Sequence, residues 1–367
     1  MIALIGVAAF VSVILALFLI RGARSHSRRY AEDMPQRFHA GHVPRIGGVA
    51  VLGGLAAGLL VAGAGYYAGD PFNVRISISE ALLVLAVLLP AVLGGAYEDV
   101  TQSLPVRWRL ALTALSGLLA LWLLDLRLVR VDVQAIDSWL RAWSVLGMAF
   151  VVFAICGLPH AFNLIDGYNG LAGTVALLVC LAIAHVALQV GDRQLAALVL
   201  CLAGATTGFL LWNYPRGLIF AGDGGAYLWG VVIAIASVML VQRHGEVSPW
   251  FPMLLLIYPV WEVIFSIYRK AARGQSPSMA DALHFHQLIY RRIVREVFHD
   301  DDTRRMLMRN NRTSPYLWGF TLLTVVPAVL FWQNSFVLKC FCLLFAVSYI
   351  YMYVSIVRFR VPRWLRR

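Results

Sequence analysis

The amino-acid sequence predicts an all-α, polytopic membrane protein. Of its 367 residues, 60% are hydrophobic and only 14% are charged, whereas a soluble domain is about half apolar and a quarter charged. The apolar residues come in runs of about 18–22, long enough at 1.5 Å per residue to cross the ~30 Å hydrocarbon core of a bilayer. We therefore expect one integral membrane domain over residues 1–367.

About eleven transmembrane helices are predicted from these runs. The first is expected to be a retained anchor rather than a cleaved signal, because no basic residue precedes it and Arg21, Arg24, Arg28 and Arg29 follow it. The predicted spans cover approximately residues 1–20, 47–68, 78–97, 110–126, 143–162, 170–190, 194–212, 225–242, 250–267, 315–333 and 335–357.

The distribution of basic residues predicts the orientation. With the N-terminus outside and the C-terminus cytoplasmic, the inner loops and tail hold 24 of the 31 Lys and Arg residues, a strong positive-inside bias. The net charge of +12 therefore mostly reflects topology. It suits an anionic lipid or substrate, whereas no basic soluble module is present to bind nucleic acid. The predicted cytoplasmic loops are about 21–46, 98–109, 163–169, 213–224 and 268–314.

Two GxxxG spacings lie inside predicted spans, Gly54–Gly58 and Gly204–Gly208. They indicate close helix packing. The spacing is too common to predict a homodimer, which stays open.

Four acidic residues stand at the predicted cytoplasmic ends of different spans: Glu98, Asp99, Asp166 and Asp223. Glycine and apolar residues flank each one, in GGAYEDV, NLIDGYNG and FAGDGGAY. A carboxylate in such surroundings is costly unless it is paired, hydrated or bound to a metal. Together they favour one shared acidic cavity at the cytoplasmic surface.

Each acid also has an ordinary structural explanation. Asp99 could end a helix in water, Asp166–Gly167 could form a turn capped by Asn163, and Asp223 could cap the helix that begins near residue 225. Taken singly, these explanations are at least as good as a functional one.

Basic and histidine residues cluster on the same predicted side. The segment LHFHQLIYRR (283–292) holds His284 and His286, and Arg291 and Arg292 follow. Arginine suits a diphosphate, although a solvated basic loop explains most of these arginines as well. The basic turn HVPRIGG (42–48) contributes Arg45. Carboxylates for Mg²⁺ beside cations for phosphate are the parts of a phosphoryl-transfer site.

With these motifs in view, the chain resembles the polyprenyl-phosphate N-acetylhexosamine-1-phosphate transferases, in glycosyltransferase family 4. The matching segments are PRIGG (44–48), GAYED (95–99), NLIDGYNGLAG (163–173), FAGDGGAYLWG (220–230) and SPSMADALHFHQLIYRR (276–292). Eleven spans with the N-terminus outside look more like the WecA branch than the ten-span MraY branch.

The resemblance implies a reaction, its partners and a location. In the family reaction, N-acetylhexosamine 1-phosphate is transferred from a UDP-N-acetylhexosamine to undecaprenyl phosphate, and UMP is released. The reaction requires Mg²⁺, for which Mn²⁺ is a candidate substitute. The enzyme would start a cell-surface polysaccharide such as O-antigen or capsule. It would lie among membrane lipids of the bacterial inner membrane, with its active site facing the cytoplasm.

The resemblance also assigns residues. It implies catalytic roles for Glu98, Asp99 and Asp166, and metal binding by Asp223. The expected substrate-binding residues are Asn163, Asn169, His284, His286, Arg45 and Arg291.

Four positions depart from the family pattern. Glu98 replaces an Asp, Asn169 replaces an Asp often found there, and Gln287 replaces a third His. Glu262 stands where many members have an Asp–Thr pair. The alternative function is a transporter or flippase of a lipid-linked or anionic solute, which usually places its charges near the midplane rather than at one face.

Overall fold

The computed structural model describes residues 1–22, 43–274, 283–294 and 302–358, apart from the side chains of residues 302 and 303. Within these ranges the chain is helical and contains no β-strand. The helices are α1 (Ile2–Gly22), α2 (Gly47–Tyr67), α3 (Ile78–Thr101), α4 (Val106–Leu123), α5 (Gln134–Ala142), α6 (Ser144–Ile165), α7 (Leu171–Gln189), α8 (Arg193–Asn213), α9 (Gly222–Arg243), α10 (Trp250–Leu255), α11 (Ile257–Ala271), α12 (Phe285–Arg292), α13 (Asp302–Leu330) and α14 (Ser335–Val357).

Ten of the helices in the described ranges are long and apolar enough to cross a membrane. This confirms the predicted all-α polytopic class, and most predicted spans match a helix to within a few residues. The ninth predicted span, 250–267, is the exception, because it is divided into α10 and α11 at Leu256. Pro259 lacks the N–H that would bond to Leu255, and its ring clashes with that carbonyl in a continuous helix. The ninth predicted span is therefore a broken pair of short helices.

Helix α9 is the centre of the bundle. It packs against α2, α3, α4, α6, α7 and α8, and every residue of its most apolar stretch is buried. A helix that is apolar all around its axis belongs in such a position. As a result, the ends of its neighbours converge on the two ends of α9.

The GxxxG glycines are used inside this one chain. A Cβ on Gly54 would lie 2.4 Å from the Ala8 carbonyl oxygen, and one on Gly208 would lie 2.4 Å from that of Ala9. A Cβ on Gly204 would approach the Ile5 carbonyl oxygen to 2.5 Å. These glycines let α2 and α8 pack closely on α1, so the spacings have an intramolecular role.

Candidate functional site

The N-terminus of α9 is where the acidic motifs meet. Asp99, at the end of α3, is 5% exposed and accepts hydrogen bonds from the backbone N–H groups of Asp223 at 2.8 Å and Gly224 at 2.9 Å. The first N–H groups of a helix have no partner within the helix and favour an anion. Asp99 therefore anchors α3 to the start of α9.

Two glycine-rich segments pair beside this anchor. The Phe220 N–H donates to the Pro44 carbonyl, and the N–H groups of Gly47 and Gly48 donate to Phe220 and Ala221, all at 2.9 Å. A Cβ on Gly48 would lie 2.2 Å from the Gly225 nitrogen. The PRIGG and FAGDGG motifs thus bring the starts of α2 and α9 into backbone contact.

Gly222 is the tightest point of this contact. Its φ of +71° lies in the left-handed region, and a Cβ there would lie 2.0 Å from the Arg45 carbonyl oxygen and 2.5 Å from both Asp99 carboxylate oxygens. Glycine is required for both reasons.

The Asp223 carboxylate receives side chains from three helices. Asn163 Nδ2 donates to Oδ1 at 2.7 Å, while Oδ2 lies 3.3 Å from the Tyr227 hydroxyl and 3.4 Å from Arg109 Nη1. The Asp223 side chain keeps 19% of its surface exposed. It is therefore held in place and still open to a ligand.

Arg109 links two of the acids. Its Nη2 lies 3.6 Å from Glu98 Oε1, while Nη1 approaches Asp223. Glu98 Oε2 also accepts a hydrogen bond from the Leu104 N–H at 2.7 Å. Glu98 has one methylene more than the Asp of the family pattern, and this longer side chain reaches the loop between α3 and α4.

Asp166 follows the last residue of α6 and faces the same helix start. Burial raises the pKa of its carboxyl to about 7, and the negative charge of Asp223 adds to this rise. The positive charge of Arg45 and a hydrogen bond from the Gly222 backbone lower the pKa in part. The protonated fraction of this carboxyl therefore changes near neutral pH when no other ligand is present.

The histidine segment reaches the NLIDG turn. A Cβ on Gly167 would lie 3.6 Å from His286 Nε2, and the His286 ring meets Tyr168 edge-on at 5.6 Å. His284 stacks on His286 with ring centroids 5.4 Å apart. Gln287 Oε1 accepts from the His284 N–H at 3.2 Å, so this departure from the family pattern serves as a helix cap.

Three other predicted residues have different surroundings. Arg45 interacts electrostatically with Asp99 and Asp166, whereas Arg291 is exposed on α12 and acts electrostatically on Tyr168. Asn169 is buried away from the carboxylates, against α13.

The network around Asn169 explains its amide. Its backbone N–H donates to Asn310 Oδ1 at 2.9 Å, and its Nδ2 donates to Asn311 Oδ1 at 2.9 Å. Asn311 Nδ2 in turn donates to the Pro215 carbonyl at 2.6 Å. An Asp at 169 would place a carboxylate against an acceptor that is already committed.

Sequence reasoning missed three residues that surround Asp223: Arg109, Tyr227 and His160. The His160 ring lies 5.1 Å from that of Tyr227, and its Nε2 lies 3.3 Å from the Thr113 hydroxyl. Arg109 could have been found, because it directly precedes the predicted span 110–126 that follows GAYED. Tyr227 could have been found four residues, one helical turn, after Asp223.

A divalent cation fits the oxygen donors here, although in the described ranges no three His, Cys, Asp or Glu side chains are grouped as a metal site. Mg²⁺ takes one or two carboxylates, keeps waters and relies on substrate phosphates. Asp223 and Asp166 satisfy that modest requirement, and Arg109 shows that a positive charge is already accommodated beside Asp223. Three groups of residues named from the sequence lie outside the described residues: 276–282 of the histidine motif, the arginines Arg24, Arg28 and Arg29, and the tail 359–367.

Comparisons with known proteins match the region that contains all four acids. Residues 81–241 match a family model described as glycosyl transferase family 4. A probable undecaprenyl-phosphate N-acetylglucosaminyl 1-phosphate transferase of Bacillus subtilis is 26% identical over 261 residues, which are 70% of this chain and 68% of the relative.

Two further relatives carry related names. An undecaprenyl-phosphate alpha-N-acetylglucosaminyl 1-phosphate transferase of Thermotoga maritima is 29% identical, over 56% of this chain and 60% of the relative. A phospho-N-acetylmuramoyl-pentapeptide-transferase of Leuconostoc mesenteroides is 27% identical, over 61% of this chain and 70% of the relative.

Proposed function

We propose that this chain, which matches glycosyl transferase family 4 over residues 81–241 and resembles transferases of that kind, transfers N-acetylhexosamine 1-phosphate from a UDP-sugar to undecaprenyl phosphate. The names of its relatives supply the lipid acceptor and the sugar class. The observation that carries the proposal is Arg109, held between Glu98 and Asp223 at the start of α9. A helix start, carboxylates and a guanidinium are suited to phosphate chemistry.

The reaction is a displacement at phosphorus. An oxygen of the prenyl phosphate forms a bond to the β-phosphorus of the UDP-sugar, the phosphoanhydride bond to the α-phosphate breaks, and UMP leaves with its electron pair. The second pKa of a phosphate monoester is about 6, so the acceptor is already mostly dianionic at neutral pH. Catalysis then depends on positioning and charge neutralisation more than on a base.

The chain's own groups divide this work. Arg109 and Arg45 offset phosphate charge, and Arg109 can exchange its long contact with Asp223 for a bidentate contact with phosphate. Glu98, tied to the Leu104 N–H, keeps Arg109 aligned. Asp99, which accepts two backbone N–H groups, fixes the helix start, so its catalytic contribution is positional.

Mg²⁺, with Mn²⁺ as a substitute, would be held by Asp223 together with Asp166. Bound there, the ion neutralises charge on the diphosphate and polarises its P–O bonds. Asn163 would orient the Asp223 carboxylate through their 2.7 Å hydrogen bond.

The histidine segment supplies the remaining substrate contacts. His286 lies beside Gly167, and His284 stacks on it, so both are placed to meet the sugar diphosphate. Arg291 offers a further cation. Asn169 supports the turn through α13 rather than touching substrate.

We assign the protein to the bacterial inner membrane, with the start of α9 facing the cytoplasm, where UDP-sugars are made. In that place it would carry out the first membrane step of a surface polysaccharide, such as O-antigen or capsule. The placement rests on the positive-inside bias of the sequence.

The deciding experiment incubates purified protein with undecaprenyl phosphate, Mg²⁺ and a panel of UDP-sugars that includes UDP-N-acetylglucosamine and UDP-N-acetylgalactosamine. We expect UMP release and a sugar diphospholipid with one of them, and neither product when the lipid is omitted. No product with any sugar, combined with solute uptake by proteoliposomes lacking nucleotide sugar, would favour the transporter instead.

A further inference from the structure

Glu262 is a buried carboxylate that the proposed reaction does not use. It lies on α11, is 1% exposed, and belongs to the broken segment formed by α10 and α11. Its Oε1 has no hydrogen-bond partner within the described residues. A buried carboxylate without a full set of partners is costly, so its presence points to a specific role.

The Glu262 carboxylate faces the start of the histidine segment. Its Oε2 lies 3.7 Å from His284 Nδ1 and 3.5 Å from the Phe285 backbone nitrogen. His284 is itself 6% exposed, and within the described residues its Nδ1 has no hydrogen-bond partner. The unpaired His284 Nδ1 therefore faces Glu262 Oε2, the carboxylate oxygen that accepts the Phe285 N–H, slightly beyond hydrogen-bond distance.

The surroundings offer Glu262 no cation in direct contact within the described ranges. Tyr258, on its own helix, interacts with the Glu262 charge. Tyr349, on α14, interacts with that charge and directs its hydroxyl toward the carboxylate as a hydrogen-bond donor. Both tyrosines are fully buried. His284 is thus the group of the histidine segment whose side chain Glu262 is placed to engage.

We propose that Glu262 is a positioning residue for transfer: it accepts the Nδ1–H of His284 and thereby orients the His284–His286 stack against the Asp166–Gly167 turn. A proton held on Nδ1 leaves Nε2 of His284 as the working nitrogen. The 12° angle between the two rings transmits this orientation to His286, which lies beside Gly167. The gap between Glu262 and His284 closes when substrate binds, as such bonds often tighten only in the complex.

This inference rests on the proposed function and adds Glu262 to the residues that serve it. Glu262 lies on α11, the helix that follows the break at Leu256. Pro259 ends the regular helix at Leu255, so α11 runs as a separate short helix. Glu262 lies about one helical turn after Pro259. The segment 250–267, predicted from its sequence to be one continuous span, would then position the Glu262 carboxylate against the histidine segment of the site.

The test is a double-mutant cycle in the transfer assay, using Glu262→Gln, His284→Ala and the double variant. We expect Glu262→Gln to lower kcat roughly 10- to 100-fold, as loss of an orienting partner does, with less change in KM for the UDP-sugar. In the His284→Ala background the same change should have no further effect. Glu262→Asp should retain an intermediate activity, because it keeps the charge and shortens the reach.

Controls separate this inference from folding and from the proposed function. Glu246→Gln makes the same chemical change at an exposed position and should leave transfer unchanged. All variants are compared by thermal unfolding in detergent. Additive losses in the cycle, or wild-type transfer by Glu262→Gln, would overturn the positioning role. Absence of transfer by the wild-type protein would instead overturn the proposed function.

Discussion

The two ends of α9 arrange charged side chains in different ways. At the Asp223 end, Glu98, Asp99, Asp166 and Asp223 gather around one helix start. Among the described residues, Arg109 and Arg45 are the cations that interact with them. The Asp223–Arg109 and Glu98–Arg109 pairs, at 3.4 and 3.6 Å, are loose. The negative charge at this end is therefore only partly compensated by nearby cations.

At the opposite end, the acids have close partners of their own. Asp192 caps α8 through the Leu195 N–H at 2.9 Å and also contacts Arg243 and His244, at 3.2 and 3.1 Å. Asp132 pairs with Arg130 at 2.7 Å. Burial alone would raise the pKa of Asp192, but the hydrogen bonds from Leu195 and His244 and the charge of Arg243 together lower it.

The difference separates structural charge from functional charge. Acids that stabilise a fold are matched by donors in the fold itself, whereas the acids proposed to hold a cation are left under-compensated until the ligand arrives. Changes at the Asp223 end should therefore cost activity, and changes at the Asp192 end should cost stability.

Asp223→Asn should give the largest effect. The amide keeps the size and neighbours of the carboxylate but removes its charge, so transfer should fall roughly 10²- to 10³-fold. The melting temperature should stay the same or rise, because repulsion with Asp166 is relieved. UMP release and thermal unfolding measure the two. Activity within a few-fold of wild type would contradict the assignment of Asp223.

Arg109→Ala should lower transfer by about 10- to 100-fold, since one charged contact to phosphate is lost. Arg109→Lys should recover part of that activity, because the charge returns without the planar fork. Equal activities for the Ala and Lys variants would show that Arg109 acts only through packing.

Gly222→Ala should destabilise the protein by at least about 2 kcal/mol, from the left-handed φ and the collision with Arg45 and Asp99. Gly157→Ala is the matched control, because a Cβ there meets nothing within 4 Å and alanine favours a helix. Thermal unfolding of both variants makes the comparison. If they melt alike, the backbone contact at the start of α9 is looser than described.

Asp192→Ala should cost about 1–2 kcal/mol of stability and leave transfer unaffected. Asp192→Asn should cost less, since Asn caps a helix nearly as well. The Asp192 pKa is lowered on folding, so its stabilisation is present above the unfolded pKa of about 3.9 and is lost as the pH falls through the folded value. The gap in melting temperature between wild type and Asp192→Ala should therefore shrink in acid. A gap that does not depend on pH would assign the effect to packing.

Much of the fold was predictable, because long apolar runs in a bilayer have few alternatives to helices. The ends of α1, α2 and α14 follow directly from their apolar runs. The break at Leu256 was not predicted. Pro259 is the residue that could have indicated the break. However, Pro90 and Pro159 lie within continuous helices, so a proline alone does not predict whether a helix is broken.

The candidate site was predictable in its acids and less so in its partners. Glu98, Asp99, Asp166 and Asp223 stood out because isolated charge beside apolar runs is rare. Arg109 did not stand out, because arginines near span ends are common. Glu262 was visible as an acid inside an apolar segment, but its distance from His284 required the packing of α11 against the segment before α12.

The sequence by itself determined the membrane class, the acid motifs and their placement at span ends, because hydropathy and charge are local properties. Tertiary structure decided which acid anchors a helix and which acid stays open to a ligand. Asp99 anchors α9 because two N–H groups point at it, and Asp223 stays open because Asn163 and Arg109 hold it from the sides. Such roles depend on contacts between residues more than 50 positions apart, and no local pattern in the chain encodes those contacts.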